Sequence, residues 1–85
     1  MQILIPSVLL SYTKAKHVDA KGATLGELLA DLDRQYPGIR FRMIDEQDQI
    51  RPHLRLFVNS SEAHELSAAV ADGDTVHVIC ALSGG

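Results

Sequence analysis

The chain has only one cysteine, Cys80, among its 85 residues. A single cysteine cannot form an internal disulfide, and neither it nor the histidines have the spacing of a zinc site. No run of basic residues occurs, and the formal net charge is −3, so the electrostatic footprint of a nucleic-acid-binding protein is missing. These absences favour a protein of the reducing cytoplasm that binds no nucleic acid.

Long apolar segments are also missing. The N-terminal stretch MQILIPSVLL is short and lacks both a basic region and a small-residue cleavage site. No stretch approaches the ~20 apolar residues that cross a membrane. We therefore expect neither a signal peptide nor a membrane anchor. With 46% apolar and 22% charged residues, the composition is that of one small globular domain over residues 1–85.

Apolar patterning predicts an alternation of strands and one helix. Strands are expected where apolar residues run together or alternate with polar ones, at residues 2–10, 17–20, 54–59 and 75–82. Residues 60–66 form a turn or a short strand, and Asp72-Gly73 is a tight turn before the last strand. Pro6 cannot donate a hydrogen bond to a sheet, so we expect a bulge or one-sided pairing there.

The strongest local signal is a capping box at TLGE (24–27). Thr24 would cap the helix, and Glu27 would reach back from its third position. Apolar residues then follow at helical spacing: Leu25, Leu28, Leu29, Leu32 and Tyr36. The pair Pro37-Gly38 ends this amphipathic helix, which is predicted over 25–36. The next segment, IRFRMI (39–44), suits either a strand or a short helical turn.

These elements predict an α+β fold in which one main helix lies across one face of a mixed sheet of four to five strands. The first and last strands are the most apolar, so they should pair centrally, which makes the fold a β-grasp roll. Alternation places Thr75, His77 and Ile79 on the outer face of the last strand. Phe57 would face outward as well, and would form an apolar patch with Ile79, bordered by His77.

The sequence contains no recognisable catalytic or metal-binding constellation, so we do not expect an enzyme. The histidines lack ligand spacing and are interpreted as surface residues: His17, His53, His64 and His77. The acidic loop of Asp45, Glu46 and Asp48 lacks the EF-hand pattern and is interpreted as solvated. Cys80 is flanked by Ile79 and Ala81 rather than by a positive charge, which favours a packing role over that of a reactive thiol.

The C-terminal sequence, ICALSGG, needs another explanation. Glycine has no Cβ, so Gly84-Gly85 could pass through a channel too narrow for side chains. The terminal carboxylate of Gly85 would then reach into the active site of another protein. A carboxylate is a poor acyl donor, but joining it to AMP supplies a good leaving group. The pair is therefore interpreted as a handle for acyl chemistry, on a flexible tail of about residues 82–85.

Taken together, the β-grasp order, the DGD-T-V sequence before the last strand and the terminal Gly-Gly resemble the ubiquitin-like sulfur carriers of the MoaD/ThiS family. The resemblance spans essentially the whole chain and is greatest to members that serve cysteine biosynthesis. Its supporting stretches are IPSVL (5–9), ATLGELLADLDRQYPGI (23–39), LRLFVN (54–59) and AVADGDTVHVICALSGG (69–85). One departure is Cys80 and the residues after it, where those members typically have proline followed by Ala-Val-Ala.

The resemblance implies that an E1-like enzyme adenylates Gly85 with ATP, and that sulfur then displaces AMP to leave a C-terminal thiocarboxylate. Leu82, Ser83 and Gly84 would enter the active site of the partner. The last strand is also similar to that of ubiquitin, which implies that E1-like enzymes bind the face bearing His77 and Ile79. Phe57 is predicted on the same partner-binding face.

Partners and cofactors follow from the same resemblance. In the cysteine branch, the thiocarboxylate attacks an aminoacrylate on a pyridoxal-phosphate-dependent cysteine synthase, and a JAMM-type metalloprotease later releases cysteine. In the molybdopterin branch, the tail enters the large subunit of molybdopterin synthase. ATP, zinc and pyridoxal phosphate would belong to these partners, with no cofactor in this chain.

Several alternatives stay open at the level of sequence. The pathway could be cysteine, molybdopterin or thiamine biosynthesis. A protein modifier that forms isopeptide bonds with lysines would need the same activated tail. A permanent small subunit of molybdopterin synthase and a plain β-grasp binding module are further candidates.

Overall fold

A five-stranded mixed sheet forms one layer of the protein, and helices cover one face of it. The computed structural model describes residues 1–80. The strands are β1 (Gln2–Leu4), β2 (His17–Asp19), β3 (Leu54–Val58), β4 (Ser61–Ala63) and β5 (Thr75–Cys80). A 3₁₀-helix spans Ser7–Leu9, and the α-helices are α1 (Leu10–Thr13), α2 (Leu25–Gln35) and α3 (Ile39–Met43).

The sheet has the order β2-β1-β5-β3-β4. The two central strands, β1 and β5, are parallel, and every other neighbouring pair is antiparallel. The predicted β-grasp arrangement, with the first and last strands paired at the centre and one main helix across the sheet, is therefore confirmed. The predicted short strand after residue 60 is also present, as β4 at the sheet edge.

The prediction of one strand over residues 2–10 was wrong. Strand β1 ends at Leu4, and the apolar residues that follow form the 3₁₀-helix and α1. Pro6 explains the change, because its nitrogen has no hydrogen to donate to a sheet. The carbonyl of Pro6 instead accepts from the Leu9 N–H at 3.0 Å and starts a helical turn. The predicted polar turn after residue 10 consequently begins as α1, which ends at Thr13, and Lys14 follows in the left-handed conformation.

The main helix follows the prediction closely, because its start is specified by side-chain hydrogen bonds. The Thr24 hydroxyl accepts from the Glu27 N–H at 3.2 Å. The Glu27 carboxylate reaches back as expected, but it accepts from the Ala23 N–H at 2.9 Å rather than from Thr24 itself. The first bond satisfies an amide that has no partner inside the first helical turn, and the second ties the residue before the cap to the helix.

The ambiguous segment after Pro37-Gly38 is a helix. Gly38 has φ 96°, a left-handed conformation that glycine adopts without strain, and it reverses the chain into α3. Asp33 secures this junction, since one carboxylate oxygen accepts from the N–H groups of Gly38 at 3.1 Å and Arg40 at 3.0 Å. Ile39 and Met43 are buried on α3, one helical turn apart.

The core lies between the helices and the inner face of the sheet. Its fully buried members include the leucines of α2 and apolar residues of β1, β3, β5 and α3: Leu25, Leu28, Leu29, Leu32, Ile3, Leu56, Val76, Ile39, Met43 and Ile44. Full burial of one such side chain stabilises a fold by roughly 1.5–3 kcal/mol. The apolar stripe predicted for α2 is therefore the part of the helix that holds it on the sheet.

The start of β5 is held by a small polar network around Asp74. The Asp74 carboxylate accepts from the Ala71 N–H at 2.9 Å and from the Asn59 amide at 3.0 Å. The Asn59 side-chain oxygen in turn accepts from the Thr75 N–H at 3.0 Å. The pKa of Asp74 is held below its ordinary value, mainly by the hydrogen bond from the Asn59 side chain and then by that from the Ala71 N–H. The predicted turn at Asp72-Gly73 is thus tied to the end of β3.

Replacing Gly22 with alanine should destabilise the protein, because the backbone before α2 passes against the helix. A Cβ at Gly22 would lie 2.5 Å from the Leu28 nitrogen and 2.9 Å from the Glu27 carbonyl carbon. We expect Gly22→Ala to lower the free energy of unfolding in urea by about 1–3 kcal/mol. The matched control is Gly73→Ala, because nothing lies within 4 Å of a Cβ there. Equal stability of the two variants would contradict this packing argument.

Removing the Asp74 charge should alter how stability depends on pH. A carboxyl whose pKa is lowered by folding stabilises the fold above its unfolded pKa of about 3.9, and this contribution is lost as the pH falls through the folded pKa. Asp74→Asn should therefore have a lower free energy of unfolding than wild type near neutral pH. This difference should become smaller below about pH 4. Urea titrations at several pH values measure this. The control is Asp72→Asn, which removes a neighbouring carboxylate without hydrogen bonds among residues 1–80. If the difference in free energy of unfolding between Asp74→Asn and wild type does not vary with pH, the charged Asp74 carboxylate does not stabilise the fold as argued.

Candidate functional site

The candidate site begins where β5 ends. This strand pairs with β1 as far as Leu4↔His77 and with β3 as far as Leu54↔Cys80, so its first half is held on both sides and its end by β3. The tail residues predicted to enter a partner, Leu82, Ser83 and Gly84, and the predicted reacting residue Gly85 lie outside the described residues. The structure therefore characterises the base of the tail, and the predicted roles of these four residues stay predictions.

The predicted outer face of the sheet bears the residues expected there. Val76 and Val78 are buried beneath the helices, whereas Ile79 points outward with 45% of its surface exposed. Phe57 and His77 are half-buried and lie directly opposite each other on β3 and β5. Ile79 lies opposite Arg55, so it is a diagonal neighbour of Phe57, within reach of an aromatic side chain. The three residues therefore share one surface, with Ile79 as its most exposed apolar member.

Residues paired between neighbouring strands continue this surface as a row across all five strands. In order, the row consists of His17, Leu4, His77, Phe57 and Glu62. Leu4 lies between the two histidines, and sequence reasoning missed it because strand β1 was predicted without its register. We call Leu4, His77, Phe57 and Ile79 the sheet patch. Arg55 borders it and pairs with Glu62 at 3.8 Å.

A second surface lies at the same end of the molecule, on the helical side of β5. It is an open groove of about 480 Å³ whose lining includes Val8, Phe41, Arg42, Arg51, His53 and Cys80. We call it the tail-side groove. Sequence reasoning missed it, because it requires the helical turn after Pro6 and helix α3 to meet the start of β3. Neither helical segment was predicted definitely from the sequence.

The other candidate groups serve the fold. Asp45 accepts from the N–H groups of Gln47 and Gln49, each at 2.9 Å, and Asp48 pairs with Arg40 at 3.2 Å. Asp45 thus stabilises its own turn, and Asp48 ties the loop to α3. Within residues 1–80, no three His, Cys, Asp or Glu residues come together as a metal site. None of the helices in that part of the chain has the length and apolar character to cross a membrane.

The geometry is that of a central strand whose end carries a tail and is flanked by two partly apolar surfaces. The position of Phe57, His77 and Ile79 on one face agrees with the sequence prediction.

Comparison with known proteins identifies relatives along the whole chain. The chain is 35% identical over 89 aligned positions to the sulfur carrier protein CysO of Mycobacterium tuberculosis, covering 98% of this chain and 96% of that protein. It is also 35% identical over 66 positions to small archaeal modifier protein 3 of Haloferax volcanii, covering 74% of this chain and 71% of that protein.

Solved structures agree with this relationship. A chain in the crystal structure of the Amycolatopsis orientalis BexX/CysO complex superposes with a TM-score of 0.90 and 33% identity, covering 99% of this chain and 98% of that one. The crystal structure of Mycobacterium tuberculosis CysO superposes with a TM-score of 0.89 and 32% identity, covering 95% and 98%. The protein-family model described as ThiS family matches residues 3–85 of the sequence. The chain therefore belongs to the ThiS family.

Proposed function

We propose that this protein is a sulfur carrier that works through the carboxylate of Gly85. An E1-like enzyme joins that carboxylate to AMP from ATP and releases pyrophosphate. A sulfur nucleophile then attacks the acyl carbon, the new C–S bond forms, and AMP leaves with the electrons of the broken C–O bond. The product is a C-terminal thiocarboxylate. The observation that carries this proposal is a terminal Gly-Gly in a ThiS-family chain that is similar to CysO over 98% of its length.

The geometry at the base of the tail supports this role. Cys80 is the last residue of β5 and is paired with Leu54 of β3, so the chain leaves from a hydrogen-bonded strand. Five residues follow it, and an extended segment of that length spans at most about 17 Å. An enzyme that acts on Gly85 must therefore approach this end of the molecule, where the sheet patch lies.

The similarity to CysO favours cysteine biosynthesis as the pathway. In that case the thiocarboxylate would deliver sulfur to a pyridoxal-phosphate-dependent cysteine synthase, and a JAMM-type metalloprotease would release the product. The carrier itself would act in the cytoplasm as a substrate of these enzymes rather than as a catalyst. ATP, pyridoxal phosphate and zinc would all be bound by partners, and molybdopterin or thiamine synthesis are the other pathways that the chemistry allows.

A second candidate function is protein modification. It is favoured by the similarity to small archaeal modifier protein 3, which covers 74% of this chain. The adenylated Gly85 would then be attacked by the amine of a lysine, and an isopeptide bond would form as AMP leaves. Carrier and modifier share the activation step and differ only in the nucleophile, so intact protein mass distinguishes them.

The carrier reaction should be visible in the intact mass of the protein. After incubation with an E1-like enzyme, ATP and a sulfur donor, we expect the mass to rise by the difference between sulfur and oxygen. Mass spectrometry of the untreated and treated chain measures this, and a chain without Gly85 should show no change. The Gly73→Ala variant controls for altered sequence, because that residue lies in the turn before β5 and should leave the reaction intact. Adducts on other proteins without any thiocarboxylate would favour the modifier.

A polar substitution in the sheet patch should weaken binding to the activating enzyme. Ile79 is 45% exposed beside the base of the tail, so it can enter an apolar pocket on a partner. We expect Ile79→Ser to raise the Kd for the E1-like enzyme about tenfold, the size of effect typical of a buried interface anchor. Ala30→Ser changes an exposed residue of α2 instead and serves as the control. Calorimetric titration measures both, and unchanged affinity for Ile79→Ser would remove the patch from the interface.

A further inference from the structure

The arginines of this chain divide into two groups according to their partners. Three of the five form ion pairs: Arg34 with Asp31, Arg40 with Asp48 and Arg55 with Glu62. The other two, Arg42 and Arg51, have no carboxylate partner among the described residues. Both line the tail-side groove, together with His53. In a chain with a net charge of −3, the two arginines without a carboxylate partner in residues 1–80 thus lie in one place.

The same groove holds most of the strongly exposed apolar surface. Val8 and Phe41 each expose 56% of their surface, and Ile79 is the only other large apolar residue in residues 1–80 that is classed as exposed. Apolar side chains grouped in a concave site beside charged ones are typical of a recognition surface. The groove therefore combines apolar contact with positive charge in a volume of about 480 Å³.

One wall of the groove is held in position by Arg51. Its guanidinium lies over the Phe41 ring, 4.6 Å from the ring centroid, and its Nε donates to the Phe41 carbonyl at 2.8 Å. The Arg51 backbone N–H also donates to the Met43 carbonyl at 3.0 Å. The exposed aromatic ring and its cation are thus ordered before any partner arrives, which reduces the entropy lost on binding.

The groove also lies beside the base of the tail. Cys80 lines it, and the five residues that follow can extend no more than about 17 Å. Ile79 and Cys80 are consecutive in β5, so their side chains point to opposite faces of the sheet. The sheet patch and the groove therefore flank the same strand end, where one partner could contact both.

We propose that the tail-side groove docks an acidic segment, carrying an apolar side chain, of the E1-like enzyme that adenylates Gly85. This inference rests on the proposed function and adds a second contact surface to it. Carboxylates of that segment would pair with Arg42 and Arg51, and its apolar side chain would pack on Val8 and Phe41. The remaining charge of the carrier is mainly negative and repels an acidic segment, so the groove also fixes the orientation of docking.

The test uses the full chain and a purified E1-like enzyme that adenylates the wild-type carrier, with pyrophosphate release as the readout. Arg42→Glu is the main variant, because the Arg42 side chain is exposed and makes no hydrogen bond or ion pair within residues 1–80. Val8→Ser tests the apolar component. Lys21→Glu is the matched control, since it reverses the same charge beyond β2, next to Asp31 and away from the groove.

We expect Arg42→Glu to raise the KM for the carrier about tenfold with little change in kcat, the signature of lost binding rather than lost chemistry. Val8→Ser should raise KM severalfold, and Lys21→Glu should change it less than about twofold. Raising the salt concentration should increase KM less for Arg42→Glu than for wild type, since the attraction that salt screens has been removed. Circular dichroism of each variant verifies that the fold is retained.

The outcomes separate this inference from the proposed function. If the wild-type chain is adenylated and Arg42→Glu behaves like Lys21→Glu, the groove is not a docking site, while the carrier function stands. If a lower kcat at unchanged KM is found, the groove acts on the chemical step and the docking proposal is wrong. If no E1-like enzyme adenylates the wild-type chain, the proposed function fails and the groove proposal fails with it.

Discussion

The parallel pairing of β1 with β5 is the constraint on which the rest of this structure depends. Two parallel strands cannot be joined by a tight turn, so the chain between them must cross the sheet. Here that crossing includes α2, whose four leucines are buried against the inner face. Ile3 of β1 and Val76 of β5 are adjacent in the pairing and both fully buried, so the core forms around the junction of the two strands.

This arrangement places the C-terminal residues after a strand in the interior of the sheet. The strand that leads into the tail is central rather than at an edge, and its start is tied to β3 by the network around Asp74 and Asn59. The start of β5 is thus anchored from both sides, and its end at Cys80 is held by pairing with Leu54 of β3. Two surfaces of different character flank it, one on the open face of the sheet and one on the helical side. A partner that binds both would recognise the fold as well as the tail.

Sequence reasoning predicted the elements that are specified locally. The capping box fixed the start of α2, and strict alternation placed Phe57, His77 and Ile79 on the outer face. The prediction of a strand failed after Leu4, because an apolar run fits a buried strand and a buried helix equally well. Only the missing N–H of Pro6 favours the helix at this point. The groove could not be predicted for a related reason, since it depends on long-range contacts between helical segments that the pattern left ambiguous. Leu4 was missed because register is a property of pairs of strands.

The direction of β1 relative to β5 has a practical meaning for experiments. Gln2 is paired with Thr75, at the start of the last strand, whereas the tail follows Cys80 at its other end. Met1 and the base of the tail are therefore separated by about one strand length, roughly 17 Å for five residue steps. An affinity tag or fluorophore attached at Met1 would lie at the opposite end of the sheet from Cys80. The protein could thus be immobilised on a support by its N-terminus while the carboxylate of Gly85 stays accessible to enzymes in solution.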